Sequence, residues 1–400
     1  MPSIATNIKD ASFTVGLNPP EYDRILSFDL GGRLIGTYVR SADDEANYRR
    51  GFDNRIIKLV KDVTLRNKWI AELPDNQRDA LLTASFELVD AALRDARTSE
   101  AERELLRRAA RNGPVELAVQ RERFISIYGA VPILPPDQYR ALVVQATRGC
   151  PFNTCKFCSF YRGCDFQIPS ATEFATHMEA VREFFGESLR LRHSVFLGDA
   201  NAILIPTKIL LERITQVRAG FDVAPPDLPP KEEAAWKREH PYGLIGFYGF
   251  LDGLTGTRKS QADYAALAAA GLRRVYIGAE SGCDEVLAGL GKPCRRADVI
   301  ETVALCKQAG IAVAVILLAG LGANDANLAA RHVIRSCELI HQLPLDPEDI
   351  VYLSPYVDTG SRPAALPLFA EDQLAAMQAG VARPSGGPRV VLYDIRGFIY

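Results

Sequence analysis

The sequence predicts an α/β fold in which parallel strands alternate with helices, and three observations carry that expectation. From Ala141 onward, six apolar runs of strand length recur, separated by helix-prone stretches. Two of those stretches, Gln261–Ala270 and Ala297–Ala309, stop at Gly271 and Gly310, and glycine is the residue that most readily closes a helix. Pro206 opens another helix at the first-turn position, where its missing N–H costs nothing.

The six runs are Ala141–Ala146, Ser194–Leu197, Leu244–Phe250, Arg274–Ala279, Ile311–Leu318 and Asp349–Tyr356. Strand–helix–strand units give parallel strands with right-handed crossovers. Spacing alone fits an open sheet or a barrel. Ala224–Gly243 is rich in proline and charge and reads as a surface loop, or as a lid over the site.

The chain has 400 residues, and the region before Pro136 has a different texture. Arg24–Val39 places two β-rich arms around Gly31-Gly32, a hairpin signal. Leu82, Phe86, Val89 and Leu93 form an apolar helical stripe within Asn76–Arg97. Thr98–Arg111 is charged and reads as a solvated helix face. Pro132, Pro135 and Pro136 then break the chain. The expected organisation is an N-terminal α/β accessory region over 1–136, an α/β body over 137–360 and a short C-terminal cap over 361–400. That cap carries a last strand near Arg389–Tyr393.

Composition excludes several classes. With 47 Lys+Arg against 49 Asp+Glu, the net charge is −2, which argues against a protein built to grip phosphate backbones. Eight cysteines in a chain of this length are too few for a disulfide scaffold. The N-terminus shows no apolar signal core, and the longest apolar stretch, Ile311–Ala323, is shorter than the roughly 20 residues a spanning helix needs. A cytoplasmic protein with no membrane partner is expected, and nucleic acid is not an expected partner.

Three of the eight cysteines crowd into Cys150-Pro-Phe-Asn-Thr-Cys155-Lys-Phe-Cys158, a C-x4-C-x2-C loop directly after the first strand. Three thiolates can hold three irons of a [4Fe–4S] cubane and leave the fourth open. Two other readings of the loop stay open. One is a zinc site with Cys164 as fourth ligand, in a zinc-stabilised nucleic-acid-binding or -modifying protein. The other is an iron–sulfur electron-transfer protein, because plant-type ferredoxins use the same spacing. Cys306 and Cys337 lie on apolar helical stripes and read as core, while Cys164, Cys283 and Cys294 have no assignment from spacing.

These motifs, taken in order, resemble the radical S-adenosylmethionine (radical SAM) superfamily over Ala141–Tyr356. The resemblance implies a partial (β/α)6 TIM-like barrel with a [4Fe–4S] cluster on Cys150, Cys155 and Cys158. Phe157 matches the aromatic residue before the last cysteine that meets adenine. Gly198, Asp199 and Ala200 match the segment for the methionine amino group. Glu280 and Ser281 of Gly278-Ala-Glu-Ser-Gly282, with Lys292 closing Val286-Leu-Ala-Gly-Leu-Gly-Lys292, resemble the coproporphyrinogen-dehydrogenase and methylthiotransferase branch. Lys292 would meet the methionine carboxylate, and Leu318 would lie against adenine.

The loop is one residue longer than the family's commonest C-x3-C-x2-C, which leaves subfamily and substrate open. The implied chemistry is reductive cleavage of S-adenosylmethionine to a 5′-deoxyadenosyl radical that abstracts hydrogen from a small-molecule substrate. A flavodoxin or ferredoxin would supply the electron. Tyr248, Asp252, Tyr276 and Tyr356 are candidate substrate-pocket residues, with Cys283 a candidate hydrogen donor.

Overall fold

A computed structural model describes residues 4–41, 45–61, 68–95, 97–322, 325–357, 370–382 and 386–400. The start of the expected C-terminal cap, 361–369, lies outside the described residues. The chain divides into two compact units: Met1–Leu134 with Ala180–Arg192 and Arg396–Tyr400, and Pro135–Glu179 with His193–Ile395.

The first unit holds a seven-stranded antiparallel meander. Its strands are β1 (Ile4–Ile8), β2 (Ser12–Leu17), β3 (Arg24–Asp29), β4 (Leu34–Arg40), β5 (Glu45–Arg50), β6 (Ile56–Lys61) and β7 (Lys68–Glu72). The hairpin expected around Gly31-Gly32 is the β3–β4 pair. Three helices follow: α1 (Asp75–Arg94), α2 (Glu100–Arg111) and α3 (Pro114–Tyr128). The predicted stripe on α1 is real, with Leu82, Phe86 and Val89 buried against Phe13, Phe28 and Leu106. Helix α2 is the expected charged helix, started by a Ser99–Glu102 capping box and solvated on its Arg107–Glu100 side. Strands and helices are segregated here rather than alternating, so this unit is α+β in pattern. The reason is the unbroken run of short hairpin-linked strands.

The second unit is built on seven parallel strands in the order β14-β13-β12-β11-β10-β9-β8. They are β8 (Leu142–Gln145), β9 (Val195–Gly198), β10 (Phe247–Leu251), β11 (Leu272–Glu280), β12 (Ala312–Ala319), β13 (Ile350–Pro355) and β14 (Arg389–Leu392). The intervening helices are α4 (Ala171–Phe185), α5 (Thr207–Gly220), α6 (Glu233–Glu239), α7 (Gly253–Gly256), α8 (Gln261–Ala269), α9 (Asp284–Gly289), α10 (Arg296–Gln308), α11 (Ala326–Gln342) and α12 (Ala370–Val381). The sheet takes one strand more than the predicted six: β14, from the tail, pairs parallel with β13.

Each strand neighbours the next in sequence, so right-handed crossovers put every helix on the same face. The other face must close on itself, and side chains show that it does. Phe196, Phe250 and Tyr276, from three neighbouring strands, pack ring to ring within 6.0 Å. Asp137, just before edge strand β8, accepts hydrogen bonds from Tyr276 of β11 at 2.7 Å and Tyr352 of β13 at 2.8 Å. In a flat sheet β8 and β13 stand about 24 Å apart. The sheet is therefore curled into a barrel, and among the described residues no pairing joins β14 to β8. This is a partial barrel.

Ala224–Gly243 is no lid. It precedes β10, so it sits at the amino ends of the strands, with Glu233 paired to Arg273 near the start of β11 and Leu228 O bonded by the same guanidinium. Cys306 is fully buried, as its stripe implies, whereas Cys337 is only half-buried because its face of α11 borders a shallow groove.

Candidate functional site

In a parallel barrel the carboxyl ends of all strands share one rim, where ligands bind. The C-x4-C-x2-C loop leaves β8 on that rim, Asp199 follows β9, Asp252 follows β10, Glu280 ends β11, and Leu318 lies near the end of β12.

The loop is closed at its base by a pair of backbone hydrogen bonds between Arg148 and Gln167, at 2.9 and 3.0 Å. Gly149 adopts φ +72°, and a Cβ there would stand 2.8 Å from Asp165 O, so only glycine fits. Asn153, the left-handed residue at φ 40°, donates from its side-chain amide to Tyr161 O at 2.6 Å and braces the long x4 segment. Cys150, Cys155 and Cys158 are unbridged and half-buried in this frame. Burial pushes the Cys155 thiol up to about 11, against the opposing pull of Lys292, and raises Cys158 as well. These thiols hold their protons until a metal displaces them. Among the described residues no three His, Cys, Asp or Glu side chains converge on one point as ligands of a single ion do. A cubane is gripped at separate corners, and three thiols on one braced loop suit that.

Asp199 fastens the loop to the barrel. Its carboxylate accepts from Gly149 N at 3.1 Å and from the Gln145 amide at 3.0 Å, while its own N–H donates to Thr147. Burial raises its pKa to about 6, against those hydrogen bonds. Gly198 packs beneath it on Val143, and Ala200 is half-buried beside it.

On the far side stands Lys292, buried, with Nζ 2.9 Å from Glu280 Oε1 and 3.7 Å from Asp252 Oδ2. Burial pulls the ammonium pKa down, but the two carboxylates outweigh it and the net shift is upward. Glu280 reaches this position at φ +59°, where the β11–β12 register slips. The same Nζ lies 5.9 Å from the Phe157 ring centroid, and Lys156 N donates to Leu290 O at 2.9 Å, so the Val286–Lys292 segment is laced to the cysteine loop. Cys294, near Lys292 and Asp252, is pushed up to about 12 by burial. An apolar patch completes the rim: Cys283, Val286, Leu318 and Leu321, with Phe157 and Tyr356 packed against them.

The structure thus gathers the three cysteines, Phe157, Asp199, Asp252, Glu280, Lys292, Leu318, Cys283 and Tyr356 on one rim. Ser281 is there too, but its hydroxyl turns inward to His332. Tyr248 and Tyr276 are corrections to the sequence reading. β10 begins at Phe247 rather than Leu244, so Tyr248 is its second residue, among Arg274, Arg273, Glu233 and Asp137 near the amino ends. The Tyr276 hydroxyl bonds Asp137, which precedes β8. Neither faces the cysteine rim. Sequence reasoning missed Gln145 and Thr147, which lie within or beside an apolar run, and His332, a lone histidine with no paired spacing.

Residues 144–331 match the family model of the Radical SAM superfamily. This is a radical SAM domain. Residues 144–331 thus place in this chain a domain of a superfamily of enzymes that work with S-adenosylmethionine and a [4Fe–4S] cluster. No curated protein matches it. Among solved structures, the radical S-adenosylmethionine methyltransferase TsrM from Kitasatospora setae, with cobalamin and [4Fe-4S] cluster bound, is 17% identical, with TM-score 0.37 over 54% of this chain and 37% of that one. The cobalamin-dependent S-adenosylmethionine radical enzyme OxsB is 16% identical, with TM-score 0.34 over 50% and 26%. Methylornithine synthase (PylB) is 13% identical, with TM-score 0.36 over 78% and 85%. This chain spans only about a third of the length of the first two, and at these scores the likeness does not extend to function. Among the described residues no helix is long and apolar enough to cross a membrane.

Proposed function

We propose that the radical SAM domain initiates hydrogen abstraction from a small-molecule substrate, with Cys150, Cys155 and Cys158 holding three irons of the cluster. The observation that carries this reading is the lacing of the cysteine loop to a buried Glu280–Lys292 pair. When bound, the cluster supplies the electron that cleaves S-adenosylmethionine, and the cofactor supplies the radical chemistry.

The chain's own residues bind, orient and exclude water. Glu280, Asp252 and Lys292 put two carboxylates against one ammonium in a buried site, leaving one negative charge in excess. That arrangement suits a ligand with a cationic amino group beside a carboxylate. The ammonium would meet Glu280 and the carboxylate Lys292, each as a charge-assisted hydrogen bond. Phe157 and Leu318 offer apolar faces to a flat heterocycle, and Cys283, Val286 and Leu321 keep the rim dry. The near-neutral charge favours a metabolite over nucleic acid, and a small reductase such as flavodoxin or ferredoxin would deliver the electron.

The test is anaerobic reconstitution with iron and sulfide. The expected protein carries about four irons per chain, is coloured in the visible and releases 5′-deoxyadenosine once reduced. Cys155→Ala should lose the chromophore. A protein that takes up only zinc, or a reduced cluster that never cleaves S-adenosylmethionine, would sink the proposal.

A further inference from the structure

His332 sits on α11, fully buried, and touches neither the cysteine loop nor the Glu280–Lys292 pair by any hydrogen bond the structure shows. Its Nε2 lies 2.9 Å from Leu318 O and its Nδ1 2.7 Å from Ser281 Oγ. A carbonyl only accepts, so Nε2 carries the proton. In a neutral ring Nδ1 must then accept; the Ser281 hydroxyl donates to it at 2.7 Å, and the Ser336 hydroxyl lies 3.4 Å from the same nitrogen. The Ser281 hydroxyl in turn accepts from Cys283 N at 3.0 Å, so every polar atom of the chain is used. Burial lowers the ring's pKa to about 4, which keeps it in this neutral tautomer.

One helical turn later, Ser336 Oγ accepts from Gly282 N at 2.9 Å. Positions four apart share a helix face, so α11 presents two pegs to one three-residue turn. Glu280, itself in the left-handed region at φ +59°, immediately precedes that turn. Leu318, the other end of the bridge, belongs to the apolar patch with Phe157. The ring therefore ties the strand end that carries the charged pair to the strand end that carries the apolar face.

We propose that His332 is a positioning residue for the S-adenosylmethionine pocket, fixing the Glu280–Cys283 turn against the Leu318 strand end through its two ring nitrogens. This rests on the reading that these two strand ends form that pocket. A purely apolar residue would fill the same space between α11 and the sheet. What the imidazole adds is direction at both nitrogens, and hence one fixed spacing between the two ends.

The test uses the anaerobically reconstituted holoenzyme with S-adenosylmethionine itself as the probe. His332→Phe fills the space and removes both hydrogen bonds, while His332→Gln keeps a donor and an acceptor. The expected result for His332→Phe is an S-adenosylmethionine dissociation constant raised by about tenfold, as for loss of a buried hydrogen-bond pair. Iron content and the cluster's absorbance should match the wild type. The KM for S-adenosylmethionine in 5′-deoxyadenosine release should rise with little change in kcat, and His332→Gln should recover most of the affinity. If the wild type carries a cluster but binds no S-adenosylmethionine, the pocket reading itself fails. If the wild type binds and His332→Phe binds within about twofold, the pocket stands and the role of His332 is overturned. Should His332→Phe not fold, the Ser281→Ala/Ser336→Ala double variant, which removes both hydroxyls within reach of Nδ1, decides by the same two thresholds.

Discussion

Asp199 shows how much one buried carboxylate is asked to do. It holds Gly149, one residue before the first cysteine, and Gln145 in β8, so it couples the loop's entry to the barrel wall. Asp199→Ala would leave both donors without this acceptor, at about 1–3 kcal/mol each. The expected outcome is a chain that folds but retains clearly less iron after reconstitution and desalting; full iron retention would show that the loop's base is fixed without it. Asp199 and His332 also oppose each other in acid. Burial lowers the His332 pKa from 6.5 to about 4. Between those values the unfolded chain takes up a proton that the folded chain refuses, so stability falls on acidification through that window. Asp199, raised from 3.8 to about 6, takes its proton first in the folded state, so acidification from about 6 downward favours folding. The two cancel in part, and a comparison of variants isolates the histidine. Relative to wild type, His332→Gln should lose less ground at pH 5 than at pH 7.5, the gap in unfolding free energy narrowing by about 2 kcal/mol. A gap independent of pH would mean that the ring is not held neutral.

The same division between what packs and what binds appears in whole elements. Helix α11 comes so close to the end of β11 that a Cβ on Gly282 would collide with Arg335 O. Gly282→Ala should push helix and turn apart, lowering the melting temperature and S-adenosylmethionine affinity together; an unaffected affinity would separate α11 from the pocket. The glycine was legible in the sequence as part of a motif, but its reason, the approach of a helix some 50 residues later, was not. Legibility follows burial on both faces. The parallel strands β12, buried at every position after Ala312, and β13, buried throughout, read as predominantly apolar runs, Ala312–Ala319 and Ile350–Pro355. β5, Glu45–Arg50, buries only Ala46 and Arg50 fully, and its sequence gives little sign of a strand. The site split the same way. Cysteines and the Gly278–Gly282 segment carry local signatures, whereas His332 and Thr147 act through partners distant in sequence. Tyr248 was misplaced because two apolar residues before β10, Leu244 and Ile245, resemble strand.

At the scale of the barrel, the two rims have different duties, and Asp137 allows them to be tested apart. It stands before β8 and binds Tyr276, Tyr352 and, at 2.9 Å, the Arg274 guanidinium, so one carboxylate gathers β8, β11 and β13 across the curl of an incomplete barrel. The Arg274 side chain is only 13% exposed, and its other terminal nitrogen is engaged by Glu348 O. Asp137→Ala would leave this cation and the Tyr276 and Tyr352 hydroxyls without their acceptor, at about 1–3 kcal/mol for each group so stranded. For a unit of this size that corresponds to a fall in melting temperature of about 10 °C. The cysteine loop, Asp199, Glu280 and Lys292 lie at the carboxyl ends of the strands, and nothing in the Asp137 network touches them. The expected result is therefore a protein that melts early yet, below its melting temperature, carries a full complement of iron and binds S-adenosylmethionine within about twofold of wild type. In barrels of this kind the amino-end rim serves stability and the carboxyl-end rim serves chemistry. If Asp137→Ala weakened the affinity as strongly as Lys292→Ala, the two rims would be coupled through the strands, and the separation of duties argued from this geometry would be wrong.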